Sequence, residues 1–183
     1  MYASTKKSTD KMKRAFFALV EEKHYSKITV TELIGEAGVS RTTFYRHYKD
    51  IYDMYDKVCV ELIEGIMFEL FPSAVGETAY DLADIFVPFC ERMISQRYYI
   101  GLLCGKNGNR KFFEIGSRMA VEYVESVSGM LSENELFALK FVTFSCISTF
   151  VKCVIEDTQF NRNSIIMYRK ILTDAQKAGG RNE

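Results

Sequence analysis

Apolar side chains recur every three or four residues along most of this chain, and no segment alternates apolar and polar residues as a half-buried strand does. This spacing predicts an all-α protein. Glycines, prolines and cap residues divide the pattern into predicted helices at about residues 10–25, 29–37, 41–48, 50–71, 80–96, 98–104, 110–130, 133–157 and 163–177. Pro88 is expected to kink its helix or to mark an irregular turn.

Two of these helices are short and are joined by a tight turn. Thr29 can cap the first helix, with Glu32 returning a hydrogen bond to the cap. Gly38 can adopt the left-handed conformation that ends a helix, and Ser40 can cap the second helix. In that second helix only Phe44 is an unambiguous core residue, because the other positions carry guanidinium, hydroxyl, phenol and imidazole groups. The pair therefore predicts a helix-turn-helix whose second helix enters the major groove of DNA.

Residues 28–48 resemble the DNA-binding motif of the tetracycline-repressor (TetR) family of transcriptional regulators. The match rests on Gly38-Val39-Ser40 and on Phe44-Tyr45-Arg46-His47-Tyr48. The resemblance implies a three-helix helix-turn-helix DNA-binding domain at residues 1–49 and a helical ligand-binding and dimerisation domain at residues 50–183. One position departs from the family pattern. Ile51 stands where a Lys usually supports a phosphate contact, and Lys49 is the candidate to replace it.

Charge is distributed unevenly along a chain whose formal net charge is zero. Residues 1–49 hold ten Lys and Arg against five Asp and Glu, whereas the remainder holds 14 against 19. The basic part coincides with the helix-turn-helix, as the footprint of a phosphate-binding surface should. Residues 1–9 are polar and basic, and two interpretations stay open for them: a solvated tail, or an arm that touches DNA.

The motif contains the candidate DNA contacts. We expect Arg41 and Thr42 to reach base edges, where an Arg can bond a guanine through two hydrogen bonds. Phosphate contacts fix register without reading sequence. The remaining candidate DNA-binding residues, placed for phosphates or at the helix starts beside them, are Thr29, Ser40, Thr43, Tyr45, His47 and Lys49. Arg46 is expected to pair with an acidic neighbour, and Tyr48 to pack with Phe44 and Phe16.

The helix predicted at 133–157 has almost no polar face. Its apolar residues include Phe137, Leu139, Phe141, Val142, Phe144, Ile147, Phe150, Val151, Val154 and Ile155. A helix that is apolar all round must be covered all round. We therefore predict that the last two helices, at about 133–177, form a four-helix interface between two copies of the chain. The alternative is a central helix buried within a monomer.

The resemblance also implies an inducer pocket for a small apolar or aromatic ligand in residues 50–183. Pockets in helical domains lie between helices. The candidates to line this one are Phe86, Phe89, Tyr98, Tyr99, Phe112, Met119 and Tyr123. Core packing is the simpler role for each of these side chains, and no charged residue stands out as a recognition group.

The sequence contains no catalytic or metal-binding pattern: no Gly-rich phosphate loop, no ligand cluster with metal spacing and no nucleophile beside a base. We expect neither enzyme activity nor a cofactor. Five cysteines without paired spacing indicate reduced thiols in a cytoplasmic protein, and Cys104, near Lys106 and Arg110, is the best candidate for a reactive one. The longest uncharged apolar stretch, 141–151, is too short to cross a bilayer.

Together these patterns predict a sequence-specific DNA-binding regulator, most simply a repressor. It is expected to bind a pseudo-palindromic operator as a homodimer and to be released by a ligand. Two alternatives stay open. One is a co-regulator of the same fold that acts through protein contacts without binding DNA, which Ile51 favours. The other is a carrier or enzyme built on a helical bundle.

Overall fold

The computed structural model describes residues 2–67, 82–126, 133–156, 158, 163–167, 170 and 174 of the 183. Within its helices, side chains are described except at 2–5, 82–87, 123, 124, 126, 135, 138, 139, 142 and 143. The described part is helical and contains no strand, which confirms the all-α prediction. None of the helices in it is both long enough and apolar enough to cross a membrane.

The helices follow the predicted order. They are α1 (Tyr2–Glu22), α2 (Val30–Ala37), α3 (Arg41–His47), α4 (Ile51–Met67), α5 (Leu82–Ser95), α6 (Arg97–Cys104), α7 (Lys111–Ser126) and α8 (Glu133–Ile155). A single 3-10 turn, Tyr25–Lys27, connects α1 with α2. Residues 163–167 are helical as well, within the range predicted for the last helix.

Two helices differ in detail from the prediction. α1 begins at Tyr2 rather than near Asp10, because residues 2–9 contain no helix breaker, and the Thr9 hydroxyl donates to the Lys6 carbonyl oxygen at 2.8 Å. The polar segment before Asp10 is therefore part of the helix. α5 runs continuously through the exposed Pro88, without an irregular turn.

The chain forms two compact units, neither of which is continuous in sequence. The first combines Met1–Leu62 with Tyr98–Ile115, and the second combines Ile63–Arg97 with Gly116–Glu183. The helix-turn-helix thus shares its unit with most of α6 and the loop that follows. The division into a DNA-binding domain at 1–49 and a regulatory domain at 50–183 concerns function and stays a prediction.

Each unit has its own apolar core. In the first, α1 packs against α2 and α3. Its fully buried side chains include Met12, Phe16, Val20, Leu33, Phe44, Met54 and Tyr55. In the second, α5 packs against α8. The buried side chains on these two helices include Phe89, Cys90, Met93, Cys146, Ile147 and Phe150.

Candidate nucleic-acid interface

The first helix of the motif, α2, begins with the predicted capping box. The Thr29 hydroxyl accepts from the Glu32 backbone N–H at 3.2 Å, and the Thr29 backbone N–H donates to the Glu32 carboxylate at 2.9 Å. The other Glu32 oxygen accepts from the Lys23 ammonium. Hydrogen bonds from Lys23 and then from Thr29 hold the pKa of Glu32 at about 2, far below its ordinary value of 4.5. The start of α2 is therefore tied to the segment that follows α1.

The turn between α2 and α3 depends on Gly38. Its φ of 60° lies in the left-handed region, which strains any residue with a Cβ atom. Its backbone N–H and that of Val39 return to the carbonyl oxygens of Gly35 and Ile34, at 3.3 and 3.1 Å. These bonds satisfy the last carbonyls of α2 and reverse the chain within a few residues. The predicted role of Gly38 is confirmed.

The second helix, α3, is anchored by one side chain. Ser40 caps it by accepting from the Thr43 N–H at 3.0 Å, as predicted. Phe44 is its only buried residue. The exposed residues of α3 are Arg41, Thr42, Tyr45 and Arg46. A short helix with a single core contact thus leaves most of its surface, all polar or aromatic, facing outward.

Several predicted DNA contacts already have partners in the free protein. The Thr29 hydroxyl is engaged in the capping box, and the Thr43 hydroxyl lies 2.8 Å from that of Ser40. One guanidinium nitrogen of Arg41 donates to the Thr31 hydroxyl at 2.8 Å, which holds this side chain at the junction of the two helices. Thr42 is exposed, and Tyr45 is 50% exposed, with its ring in a T-shaped contact with that of Phe44.

Lys57 was not predicted as part of this site. From α4, its ammonium donates to the His47 carbonyl oxygen at 2.8 Å and to Asp53 at 3.0 Å, and it lies 5.6 Å from the centre of the Tyr48 ring. It thereby satisfies one of the carbonyls that the C-terminus of α3 leaves without a helical partner. The four-residue spacing of Asp53 and Lys57 was the only signal in the sequence.

The departure from the family pattern lies at position 51. Ile51 is only 5% exposed and belongs to the core. Lys49 is exposed, and its backbone N–H donates to Asp53 at 2.9 Å, a bond that is the first cause of the lowered pKa of Asp53. Lys49 therefore stays the candidate to replace the missing Lys, beside the exposed Arg46 of α3. His47 is half-buried, and in the described structure its buried Nε2 has no hydrogen-bond partner.

The two packing predictions for α3 have different outcomes. Tyr48 is buried with its ring centroid 5.6 Å from that of Phe44, as expected, and burial raises its pKa to about 12. Arg46 is exposed, and no ion pair ties it to an acidic neighbour within the described residues. Its guanidinium thus remains on the outer surface of α3.

The predicted ligand residues whose side chains are described are divided between the two compact units. Phe112 is buried in the first unit, whereas Tyr98 and Tyr99 are exposed there: Tyr98 donates to Glu21, and the Tyr99 ring lies 4.7 Å from that of Phe17. In the second unit Phe89 is buried and Met119 half-buried. The side chains of Phe86 and Tyr123 lie outside the described residues. The ligand site stays a prediction.

The cysteine prediction is wrong about Cys104. Its thiol is buried, and burial raises its pKa to about 12, so the nearby Lys106 and Arg110 do not make it a reactive thiolate. Cys59, Cys90 and Cys146 are buried as well. Among the described residues, no group of three His, Cys, Asp or Glu side chains is placed to hold a metal ion.

Comparison with known proteins identifies the fold. No protein-family model and no curated protein matches this sequence. A solved structure does match: a TetR transcriptional regulator from Streptococcus agalactiae 2603V, with a TM-score of 0.61 and 22% sequence identity. The chain has the TetR fold. The match covers 93% of this chain and 94% of the other, so the likeness extends through both the helix-turn-helix and the C-terminal helices.

Proposed function

We propose that this protein is a transcriptional regulator that binds a pseudo-palindromic DNA operator as a homodimer, most simply as a repressor. The observation that carries the proposal is α3, a short helix with one buried residue and an outward surface of guanidinium, hydroxyl and phenol groups. Such a surface suits base edges and phosphates better than any apolar partner. The TetR fold supports the proposal that α3 is the recognition helix.

Arg41 and Thr42 are the proposed base contacts, because they stand exposed at the N-terminal end of α3. The hydrogen bond from Arg41 to Thr31 orients the guanidinium and can be exchanged for a bond to a guanine. Ser40, Thr43, Tyr45 and Lys49 are the proposed phosphate contacts, together with Thr29 and His47. Thr29 is best suited to contact a phosphate through the N-terminus of α2, since its hydroxyl is already occupied by the cap.

The outer face of α8 supports the proposed dimer. Phe137 and Phe141 are 72% and 65% exposed, their rings stack with centroids 6.5 Å apart, and Phe144 and Ile155 extend the same face. Ile166 and Met167 are exposed in the helical segment that follows. An apolar surface of this kind marks an interaction site. A second copy of the same face is the proposed partner, with two recognition helices about 34–36 Å apart on the operator.

A small apolar or aromatic ligand is the proposed inducer. It would bind within residues 50–183, tilt α4 and change the separation of the two recognition helices. Such two-state coupling is typically worth about 1–3 kcal/mol. Residues 1–49 would then act as the DNA-binding domain and residues 50–183 as the regulatory domain.

The test is selection of bound duplexes from a random DNA pool by the purified protein. We expect an enriched inverted repeat whose half-sites lie about one helical turn apart, since each subunit presents one α3 helix. Arg41→Ala and Tyr45→Ala should then lose affinity for the winning duplex while the helical content and the dimer stay unchanged. Enrichment of a single half-site would contradict the dimer, and no enrichment would contradict DNA binding.

One observation favours a second function, that of a co-regulator acting through protein contacts. The buried Ile51 offers no amine at the position where the family usually has a Lys for a phosphate. A folded dimer that enriches no duplex, and that retains a defined protein partner through α3, would support this second function. Loss of that partner in Arg41→Ala would place the contact on the same face.

A further inference from the structure

The loop that follows α6 is hydrogen-bonded to the end of α1. The side-chain amide of Asn107 donates to the carbonyl oxygens of Val20 and Glu21, at 2.8 and 3.2 Å. These carbonyls belong to the last turn of α1, where the helix itself supplies no donor. Asn107 therefore acts as a C-terminal cap for a helix more than 80 residues earlier in the chain.

The same loop holds the 3-10 turn that leads into α2. The Asn107 carbonyl oxygen accepts from the Tyr25 backbone N–H at 2.9 Å, and the Asn109 amide donates to the Tyr25 hydroxyl at 3.0 Å. The Tyr25 ring stacks on that of Tyr55, 4.3 Å away, and the Tyr55 hydroxyl donates to the Leu103 carbonyl oxygen at 2.6 Å. Tyr25 is thus fixed on both its backbone and its side chain.

A glycine makes this loop geometry possible. A Cβ atom at Gly108 would overlap the carbonyl group of Leu103, the same group that accepts from the Asn109 N–H at 2.8 Å. The obstructing atoms are backbone, so no side-chain movement can relieve the overlap. Adding one methyl group here must displace the loop, and Asn107 and Asn109 with it.

We propose that residues 105–109 are a positioning element for the recognition helix, with Asn107 and Asn109 as its positioning residues. The turn Tyr25–Lys27 is followed directly by Ile28 and by Thr29, the cap of α2. Fixing Tyr25 therefore fixes the point at which α2 begins, and α2 carries α3 through the Gly38 turn. This inference rests on the proposed DNA-binding function. It assigns a role in that function to residues that lie outside α3.

The test compares two glycine substitutions. Gly108→Ala displaces the loop, whereas Gly65→Ala adds the same methyl group to α4, where a Cβ meets nothing within 4 Å. We expect Gly108→Ala to lower affinity for the selected operator about 10-fold, the size of effect that remote substitutions exert through packed networks. Gly65→Ala should bind as the wild type does. Stoichiometric titration gives the fraction of active protein, so that partial unfolding is not counted as weaker binding.

Two further measurements distinguish positioning from direct contact and from general destabilisation. The slope of log affinity against log salt should be the same in Gly108→Ala and in the wild type, because no phosphate contact is lost. Amide hydrogen exchange should become faster at residues 20–28 and unchanged in α5 and α8. Asn107→Asp, which removes the amide donors and places a carboxylate against two carbonyl oxygens, should reproduce both results if Gly108→Ala fails to fold.

The outcomes separate this inference from the function on which it rests. If the wild type enriches no duplex, the DNA-binding function fails and the inference fails with it. If the wild type binds and both loop variants bind equally well with the same salt slope, only the inference is overturned. A shallower salt slope in the loop variants would also overturn it, because the loop would then be a phosphate contact.

Discussion

α3 and α8 both expose much of their side-chain surface, but the chemistry of the two exposed surfaces is opposite. α3 exposes Arg41, Thr42, Tyr45 and Arg46 around one buried phenylalanine. α8 buries one side through Cys146, Ile147 and Phe150 and exposes Phe137, Phe141 and Phe144 on another. The polar surface of α3 is well solvated by water. The apolar surface of α8 is stabilised when another apolar surface covers it.

The contrast shows that the free energy of solvating an exposed face indicates which kind of partner the face can bind. Guanidinium and hydroxyl groups lose little by staying solvated, so α3 needs a partner with charge and hydrogen-bond acceptors to gain affinity, as DNA has. Stacked phenylalanines gain from any dry apolar surface, and a second α8 supplies one of matching length. The comparison therefore predicts that the two proposed interfaces differ in their sensitivity to salt and in the size of the effect of side-chain substitution.

The largest effect is expected from charging the α8 face. Burying a Phe side chain contributes about 1.5–3 kcal/mol, and a two-fold interface loses two rings from each subunit in Phe137→Asp/Phe141→Asp. We expect the dimer Kd to rise at least about 1,000-fold, measured by sedimentation over a range of protein concentrations. Phe137→Leu/Phe141→Leu keeps the face apolar and should stay dimeric. A double-Asp variant that sediments as the wild type would place the dimer interface elsewhere.

Salt should separate the two faces without any substitution. With at least six phosphate contacts per operator, affinity for DNA should fall about 1,000-fold between about 50 and 200 mM salt. The dimer should be unchanged over the same range, because its proposed core is uncharged and apolar contacts are not screened. Fluorescence anisotropy measures DNA affinity, and sedimentation in the same buffers measures the dimer. Equal salt sensitivity would contradict the assignment of one face to charge and the other to apolar burial.

Truncating one side chain on α3 should have a smaller effect. A guanidinium that bonds a base edge contributes about 1–3 kcal/mol of discrimination, so Arg41→Ala should lower operator affinity about 10- to 100-fold and relax the preference at one position. Arg118→Ala is the matched control, because Arg118 is exposed on α7, where it pairs loosely with Glu122 at 3.8 Å. If both variants lose affinity equally, general charge rather than the α3 surface accounts for binding.

The smallest effect concerns the polar contacts that hold α2 in place. Glu32→Gln keeps an oxygen for the Thr29 cap but loses the charge that pairs with Lys23. Because the pKa of Glu32 is lowered from 4.5 to about 2, its ionised form stabilises the fold fully above about pH 4.5 and progressively less as pH falls toward 2. We expect a slightly lower Tm at pH 7 and a difference that closes over that acid range.

Thermal unfolding followed by circular dichroism measures the Glu32 effect. Glu36→Gln removes one charge from an exposed position of the same helix and controls for net charge. A Tm difference that persists unchanged at pH 2 would show that the lost contact does not depend on the ionised carboxylate.

Local features of the helix-turn-helix were predictable because they depend on neighbours in sequence. The caps at Thr29 and Ser40 and the left-handed turn at Gly38 join atoms at most four or five residues apart, so residue type and spacing suffice. Phe44 as the sole core residue of α3 followed from composition alone. The helix α8 was also predictable from its apolar spacing, whereas the cover that its apolar face needs stays a prediction.

Features that join distant parts of the chain were missed or misjudged. Lys57 and Asn107 satisfy backbone carbonyls 10 and 86–87 residues away, and their neighbours in sequence do not indicate these distant partners. Cys104 has basic residues beside it in sequence, but burial raises its pKa, and desolvation outweighs neighbours that are close only along the chain.

The amino-acid sequence by itself therefore determined the helix class, the helix-turn-helix and the chemistry of its outward face, because periodicity, caps and side-chain type act over one or two helical turns. Only the tertiary structure decided that the loop at 105–109 belongs to the same compact unit as that motif, and that Ile51 and Cys104 are core residues. Burial and long-range hydrogen bonds depend on which segments are in contact, and the packing of the complete core determines those contacts.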